Sequence, residues 1–253
     1  MSLRFSSALL ACLSVATSVV LCQEGSWSVS ASAGYAFLDF KNVDRDNASD
    51  VEGYRRAGYE LPTIPSLRNA FAYGGRITYR FERDNSFSLS VLETSRKVHT
   101  SFSRPEDSLA LTRSVGSTTV LLGLAQHFEP VMDLLDWYAE LNVGILFGRA
   151  NSTAYQTHTS KRSETDPAPI TEVTDDTKGT YRKSKLIVGA GVGAMINVFD
   201  AVVLKLEASY RFAKVGTIDG EITTFGQSRP HTTSIDFDYS GFVLGLGVGI
   251  VFP

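Results

Sequence analysis

The chain is short of cysteine, of unbalanced charge and of long apolar runs, and each shortage removes a class of protein. Its two cysteines, Cys12 and Cys22, both fall within the first 22 residues, so the rest has no disulfide, thiolate metal site or cysteine nucleophile. Against 27 acidic residues stand 24 basic ones, of which Arg4 lies in that leader, leaving a formal net charge of −4 beyond it. Nucleic acid asks for a basic face and is excluded as a partner. No internal stretch supplies the roughly 20 apolar residues of a membrane helix. The longest candidate, Leu186 to Phe199, is broken by Gly189, Gly191, Gly193 and Asn197 and ends at Asp200.

What is present begins with a leader. Met1 to Arg4 form a short positive segment, Phe5 to Leu21 an apolar run with small residues interspersed, and Val20-Leu21-Cys22 precedes polar Gln23-Glu24-Gly25-Ser26. This is the layout of a secretory signal peptide over residues 1–22, cut before Gln23 and leaving a domain of residues 23–253. An uncleaved anchor and lipid attachment at a cysteine are the alternatives.

The body of the chain alternates with a period of two. Trp27, Val29, Ala31, Ala33, Tyr35 and Phe37 interleave with Ser26, Ser28, Ser30, Ser32 and Gly34. Phe71, Tyr73, Ile77, Tyr79 and Phe81 interleave with Arg76, Thr78, Arg80 and Glu82. Such alternation is the signature of strands. Similar segments run near Phe87 to Lys97, Val115 to Phe128, Trp137 to Arg149, Lys185 to Phe199, Val202 to Ala213 and Asp236 to Phe252, which makes eight. Connections alternate too. The short ones lie at Arg83 to Ser86, Glu129 to Asp136 and Asp200-Ala201, and the long ones at Lys41 to Asn69, Val98 to Arg113, Ala150 to Ser184 and Lys214 to Ile235. The pattern predicts an all-β fold: an eight-stranded, antiparallel, up-and-down transmembrane β-barrel with long extracellular loops, short periplasmic turns and both termini periplasmic. Aromatic residues near strand ends, among them Trp27, Phe40, Phe71, Tyr79, Trp137, Tyr210, Phe237 and Tyr239, suit girdles at the two lipid interfaces.

In the last segment Phe242, Leu244, Leu246, Val248, Ile250 and Phe252 alternate to a near-terminal aromatic. With the pattern from Gly25 to Phe252, this resembles the small bacterial outer-membrane barrels of the OmpX, OmpW and OmpA transmembrane-domain types. The resemblance implies outer-membrane lipid as surroundings and recognition of the strand ending in Phe252 by the barrel assembly machinery, with Pro253 as a departure from the usual end.

Residues opposite the lipid face point into the barrel. Strand two offers Arg76, Arg80 and Glu82, strand five Glu140 and Asn142, strand seven Lys205, Glu207 and Arg211. Lys or Arg facing lipid at mid-bilayer costs about 2–4 kcal/mol, so these residues are expected as a lumen charge network. An eight-stranded barrel is just wide enough for side chains to fill, and paired charges there make a plug rather than an aqueous channel. Gly189, Gly191 and Gly193 on one side of strand seven, and Gly245, Gly247 and Gly249 on the other, leave room for its long side chains or ease curvature. On strand three, Phe87, Leu89 and Val91 set an outward register that would place Glu93 toward lipid, so either a bulge shifts the register or Glu93 already lies above the membrane.

No cofactor or metal motif appears. The glycines from Gly189 are spaced strictly by two with no helix behind them, so they are no phosphate loop, and His99, His127, His158 and His231 lack ligand spacing. Ser114, Ser117, His127 and Glu140 admit a lipase-like arrangement, but no local motif favours it. The first and third long loops each hold five basic and five acidic residues, so they set up no net field for polyanions. The expected function is structural or surface-interacting, adhesin-like, with a host or surface ligand at the long loops. A narrow OmpW-like channel for small or hydrophobic solutes and a barrel enzyme such as a lipid A deacylase are the alternatives.

Overall fold

In the computed structural model, residues 25–128, 135–161, 169–199 and 201–252 are described. The leader and its cleavage site, residues 129–134 and 162–168, Asp200 and Pro253 lie outside them. In chain order the elements are β1 (Ser26–Leu38), α1 (Lys41–Arg56), β2 (Asn69–Glu82), β3 (Asn85–Ser103), β4 (Asp107–His127), β5 (Leu135–Lys161), β6 (Pro169–Phe199), β7 (Val202–Phe212), β8 (Lys214–Gly216), β9 (Asp219–Thr224), β10 (Gln227–Thr232), β11 (Phe237–Asp238) and β12 (Gly241–Phe252).

Eight of these strands close a ring. Each of β1 to β6 pairs antiparallel with the next, β7 pairs with β12, and β12 returns to β1 with Trp27 opposite Phe252. A closed sheet leaves no backbone edge unpaired, which is the condition for strands to cross a bilayer. The period of two then sorts side chains. Outward stand Trp27, Val29, Phe71, Ile77, Phe87, Leu122, Leu141, Leu186, Leu206 and Leu246, all exposed, with Leu186 73% and Leu141 69% accessible. A continuous apolar belt of this kind is the lipid-facing surface of a membrane-spanning barrel.

The connections depart from the long loops expected of the sequence. The stretches read as loops at Val98 to Arg113 and Ala150 to Ser184 are mostly strand. β3 and β4 stay paired from Asn85–Gln126 up to Ser103–Ser108, and β5 and β6 from Leu135–Ile196 up to Lys161–Pro169. Their upper halves are rich in Ser, Thr and charge, and their few buried apolar residues, Leu109, Leu111 and Ala154 among them, turn to a protein core, so no lipid-facing apolar alternation marks them. The stretch from Lys41 to Asn69 contains α1, and that from Lys214 to Ile235 contains β8 to β10, with β9 adding to the projecting part of β6 (Thr177–Thr224 to Arg182–Asp219).

Glu93 sits in unbroken ladders to both neighbours, with no bulge, and so faces outward just past the apolar belt. There it ion-pairs with Arg149 and accepts a hydrogen bond from Thr118 Oγ1 at 2.5 Å.

Two cores fill the hairpin end. Phe40, Val43, Leu67, Leu146, Ile218, Phe237 and Tyr239 pack inside the barrel mouth, where Phe40 and Tyr239 meet edge to face at 5.0 Å between ring centres. Phe40 and Tyr239 are fully buried, which corrects their assignment to an interface girdle: their strands have ended, and the chain turns inward there. Above, Val51 and Leu61 pack with Leu109, Leu111 and Ala154 of the projecting hairpins. α1 bridges the two cores through Val43, Asn47 and Val51, one buried stripe at spacing four. Asp44 in its first turn and Arg55 and Arg56 in its last complement the helix dipole. Asp44 also ties the helix to the following segment, accepting from the Leu67 amide at 2.9 Å.

Candidate functional site in the barrel interior

The inward faces of β2 to β7 carry polar groups in successive levels. Nearest the short turns, Arg80 Nη1 lies 2.9 Å from Asp136 Oδ2, and its Nε donates to the Arg83 carbonyl at 2.7 Å. Asp136 also faces His127 Nδ1 at 3.1 Å, and the other ring nitrogen of His127 lies 2.9 Å from Ser86 Oγ.

The next level joins three strands through one guanidinium. Arg76 Nη1 is 3.0 Å from Glu140 Oε2 and 3.1 Å from Glu207 Oε1. Ser88 Oγ donates to Glu140 and Tyr138 OH to Glu207, each at 2.5 Å. All of these groups are largely shielded from solvent, and pairing with hydrogen bonds on the remaining oxygens is what makes buried charge tolerable. Space for this level comes from glycine. A Cβ on Gly123 would fall among Glu140 Oε1, Ser88 Oγ and Asn142 Oδ1, and one on Gly193 would fall on the Tyr138 ring.

Higher still, Arg211 is buried without a carboxylate at ion-pair distance among the described residues. Its Nε donates to the Tyr239 carbonyl at 2.9 Å, its Nη1 to Thr119 Oγ1 at 3.3 Å, and its Nη2 has no partner. Tyr239 in turn donates its hydroxyl to the Arg149 carbonyl at 2.9 Å. The aromatic core of the mouth begins here, so the interior is closed by charge below and by rings above.

Of the residues read as a network from the sequence, Arg76, Glu140 and Glu207 meet in one cluster and Arg80 in a second. Asn142 and Lys205 are inward and buried, and Asn142 Oδ1 has no hydrogen-bond partner among the described residues. Glu82 is not part of the interior network. It lies exposed at the short turn and accepts from Asn85 Nδ2 at 2.7 Å, because the ladder shifts register after Arg80. Arg211 is inward but stands outside the ion pairs, since Glu207, four residues earlier on the same face, is already held by Arg76 and Tyr138. The lipase-like grouping of Ser114, Ser117, His127 and Glu140 is not assembled. Ser117 bonds Thr94 at 2.7 Å, Ser114 meets Asn151, Glu140 belongs to Arg76, and His127 faces Ser86 and Asp136.

Asp136, Tyr138, His127 and Ser86 complete the interior and were not among the network residues expected from the sequence. Asp136 falls at the edge of a stretch read as a turn. Tyr138 reads as an apolar ring, yet it is inward by the same alternation that places Glu140 inward. The glycines beside β7 serve a different neighbour from the expected one, since the clearest accommodation is Gly193 for Tyr138 of β5.

No protein-family model and no curated protein sequence matches the chain. Among solved structures, it is similar to Ail, the attachment invasion locus protein of Yersinia pestis, solved in complex with the heparin analogue sucrose octasulfate, at 15% identity and TM-score 0.43, covering 91% of this chain and all of that one. It is similar to the outer membrane protein OprG of Pseudomonas aeruginosa at 11% identity and TM-score 0.45, covering 91% and 97%. It is also similar to Neisserial surface protein A at 12% identity and TM-score 0.40, covering 90% and 98%.

Proposed function

We propose that the chain is a sealed outer-membrane barrel whose working surface is its hairpin end, exposed outside the cell, with a surface-interaction role of the adhesin type. The observation that carries this reading is the double closure of the interior. The Arg76–Glu140–Glu207 cluster fills the membrane level, and Phe40, Leu67 and Tyr239 fill the mouth. A solute would have to displace both. Among the described residues, much of the material beyond the lipid belt is paired strand with a helix packed on it, and such ordered projections suit contact with a second surface. In small barrels of this kind the short turns and termini face the periplasm, which sets the hairpins outward. Membrane lipid then surrounds the apolar belt, and β12, ending in Phe252, is the strand presented to the assembly machinery.

The same reading makes the protein a binder and not an enzyme. Ser86, His127 and Asp136 stand in the order of a nucleophile, base and orienter, but Ser86 is 1% exposed and Asp136 is held by Arg80.

Planar-bilayer recording from the folded protein tests the seal, and no stable conductance is expected. Replacing the tips of the two long hairpins by short turns is expected to abolish adherence of expressing cells to host-cell or matrix-coated surfaces while the barrel still folds. Large steady currents would overturn the seal, and undiminished adherence would overturn the role of the hairpins.

A further inference from the structure

Among the large side chains of the lipid belt, three neighbouring outward positions are small. Ala190 of β6 lies opposite Leu141 of β5 and Tyr210 of β7, and on the next row Val192 lies opposite Ala139 and Ala208. The three alanines floor a groove of about 640 Å³ that crosses β5, β6 and β7, with Leu141 on its rim, and that ends against Tyr210 and Phe242. Those two rings meet at 4.8 Å between centres.

A second depression, of about 410 Å³, opens from the same two rings. It lies at the hairpin end of the belt, where Tyr210, Phe242 and Phe37 form one cross-strand row and are the last outward aromatic side chains of β7, β12 and β1 before charge begins, Phe212 of β7 excepted. Its other wall is polar and holds Asp39, Lys41, Arg68 and Asn69. Lys41 Nζ lies 3.7 Å from Asp39 Oδ1, so these two charges largely offset each other. Arg68 is exposed and makes no ion pair among the described residues, which leaves the depression with one positive charge.

Running from the groove to the depression, the surface is apolar, then aromatic, then cationic. A membrane lipid presents acyl chain, glycerol and phosphate in the same order, and rings favour the level between the last two regions. The guanidinium of Arg68 offers paired donors that match a phosphate. The groove alone selects nothing, because any bulk lipid chain fills it. Joining it to the cationic depression makes the second contact intramolecular for a ligand that spans both.

We propose that this face binds one anionic lipid with a phosphate headgroup, its acyl chain over Ala139, Ala190 and Ala208 and its phosphate on Arg68, beside Lys41 and Asn69. The source of the phosphate is the surrounding leaflet and not free phosphate, since the groove is open to lipid along its length. The site requires only that the belt lie in lipid, and it holds whether or not the hairpin tips adhere to anything.

The test is native mass spectrometry of the full folded barrel released from detergent micelles that carry a phosphatidylglycerol, the diacylglycerol with the same chains, or inorganic phosphate. One phosphatidylglycerol retained per barrel is expected, with the diacylglycerol held at least tenfold less well and millimolar phosphate unable to displace the lipid. Arg68→Gln is expected to weaken retention about tenfold, the usual scale of one charge-assisted hydrogen bond. Ala190→Phe fills the groove from the lipid side and is expected to abolish retention while leaving the barrel folded, as judged by the shift in gel mobility on heating that folded barrels show. Failure to retain phosphatidylglycerol, equal retention of the diacylglycerol, displacement by phosphate, or undiminished retention by either variant would each overturn the proposal. So would a dimer in place of the lipid adduct, which would give the groove to a second copy of the chain.

Discussion

Arg76 reaches across the interior from β2 to Glu140 of β5, 3.0 Å away, although two strands separate them in the ring. The contact is a strut across the barrel and not a neighbour pair on one sheet. Since the same nitrogen also meets Glu207, removing Arg76 leaves two carboxylates facing each other out of water. Arg76→Leu is therefore expected to cost about 3–5 kcal/mol, the usual scale for stripping one partner from a buried ion pair. Guanidinium unfolding in detergent, followed through Trp27 and Trp137, measures it. Replacing Arg76, Glu140 and Glu207 together by leucine is expected to restore most of the loss, because no uncompensated charge then remains. An unchanged midpoint for Arg76→Leu would mean that water, not Arg76, balances the carboxylates.

The glycines of the interior are not equivalent, and their differences predict an order. On Gly193 a methyl would overlap the Tyr138 ring, whereas on Gly245 the nearest atom is the Ala33 carbonyl oxygen at 3.9 Å. Gly193→Ala should push the ring off Glu207 and cost about 1–3 kcal/mol, as overpacked cores do. Gly245→Ala should unfold at the wild-type denaturant concentration or slightly above it. Equal midpoints for the two variants would mean that the Tyr138 ring has room to move.

The ring was legible in the sequence because lipid imposes a strict contrast between faces. From Trp27 to Phe37, every outward side chain is apolar or small. The same logic placed Arg76, Glu140 and Glu207 inward. It did not reveal which charges meet, because that depends on stagger around the ring, and Arg211 ends up beside a tyrosine carbonyl instead of a carboxylate. α1 escaped notice because its buried stripe of Val43, Asn47 and Val51 has an amide at its centre and its other faces are charged. The upper halves of β3 to β6 escaped because their outer face meets water instead of lipid and their inner face holds only a few apolar residues, Leu109, Leu111 and Ala154 among them, so the apolar alternation is weak. Phe40 and Tyr239 look like any strand-end aromatic until the path of the chain is known.

The projecting β3–β4 hairpin should be sensitive to acid. His158 Nδ1 lies 2.6 Å from Asp107 Oδ1 and Arg104 Nη2 lies 2.6 Å from Asp107 Oδ2, and these hydrogen bonds, that of His158 foremost, hold the Asp107 carboxyl below the usual carboxylate range. A depressed folded-state value means that the stabilisation is fully present above the ordinary aspartate value of about 3.9 and is lost as pH falls through the lower, folded one. Hydrogen exchange at the tip residues should therefore stay slow at neutral pH and speed up only below about pH 4. Asp107→Asn should exchange fast throughout. Fast exchange in the unaltered protein at pH 7 would show that the tip bonds do not order it.

The chain of Ser86, His127 and Asp136 gives the sharpest separation of binder from enzyme. Its distances, 2.9 Å and 3.1 Å, are those a serine nucleophile would have from its base and the base from its orienter. Yet hydrolysis also needs a substrate at the hydroxyl and donors for the oxyanion, and the hydroxyl is sealed among side chains. Arg80 further ties Asp136 into the wall. If the chain is a stitch between β3, β4 and β5, Ser86→Ala should lower stability by about 1 kcal/mol through the lost hydrogen bond. A fluorophosphonate probe should leave the folded protein unlabelled, and the lipid A of expressing cells should keep all its acyl chains. Labelling of Ser86 that disappears in His127→Gln would instead assign it the role of a nucleophile, and the sealed interior would then have to open.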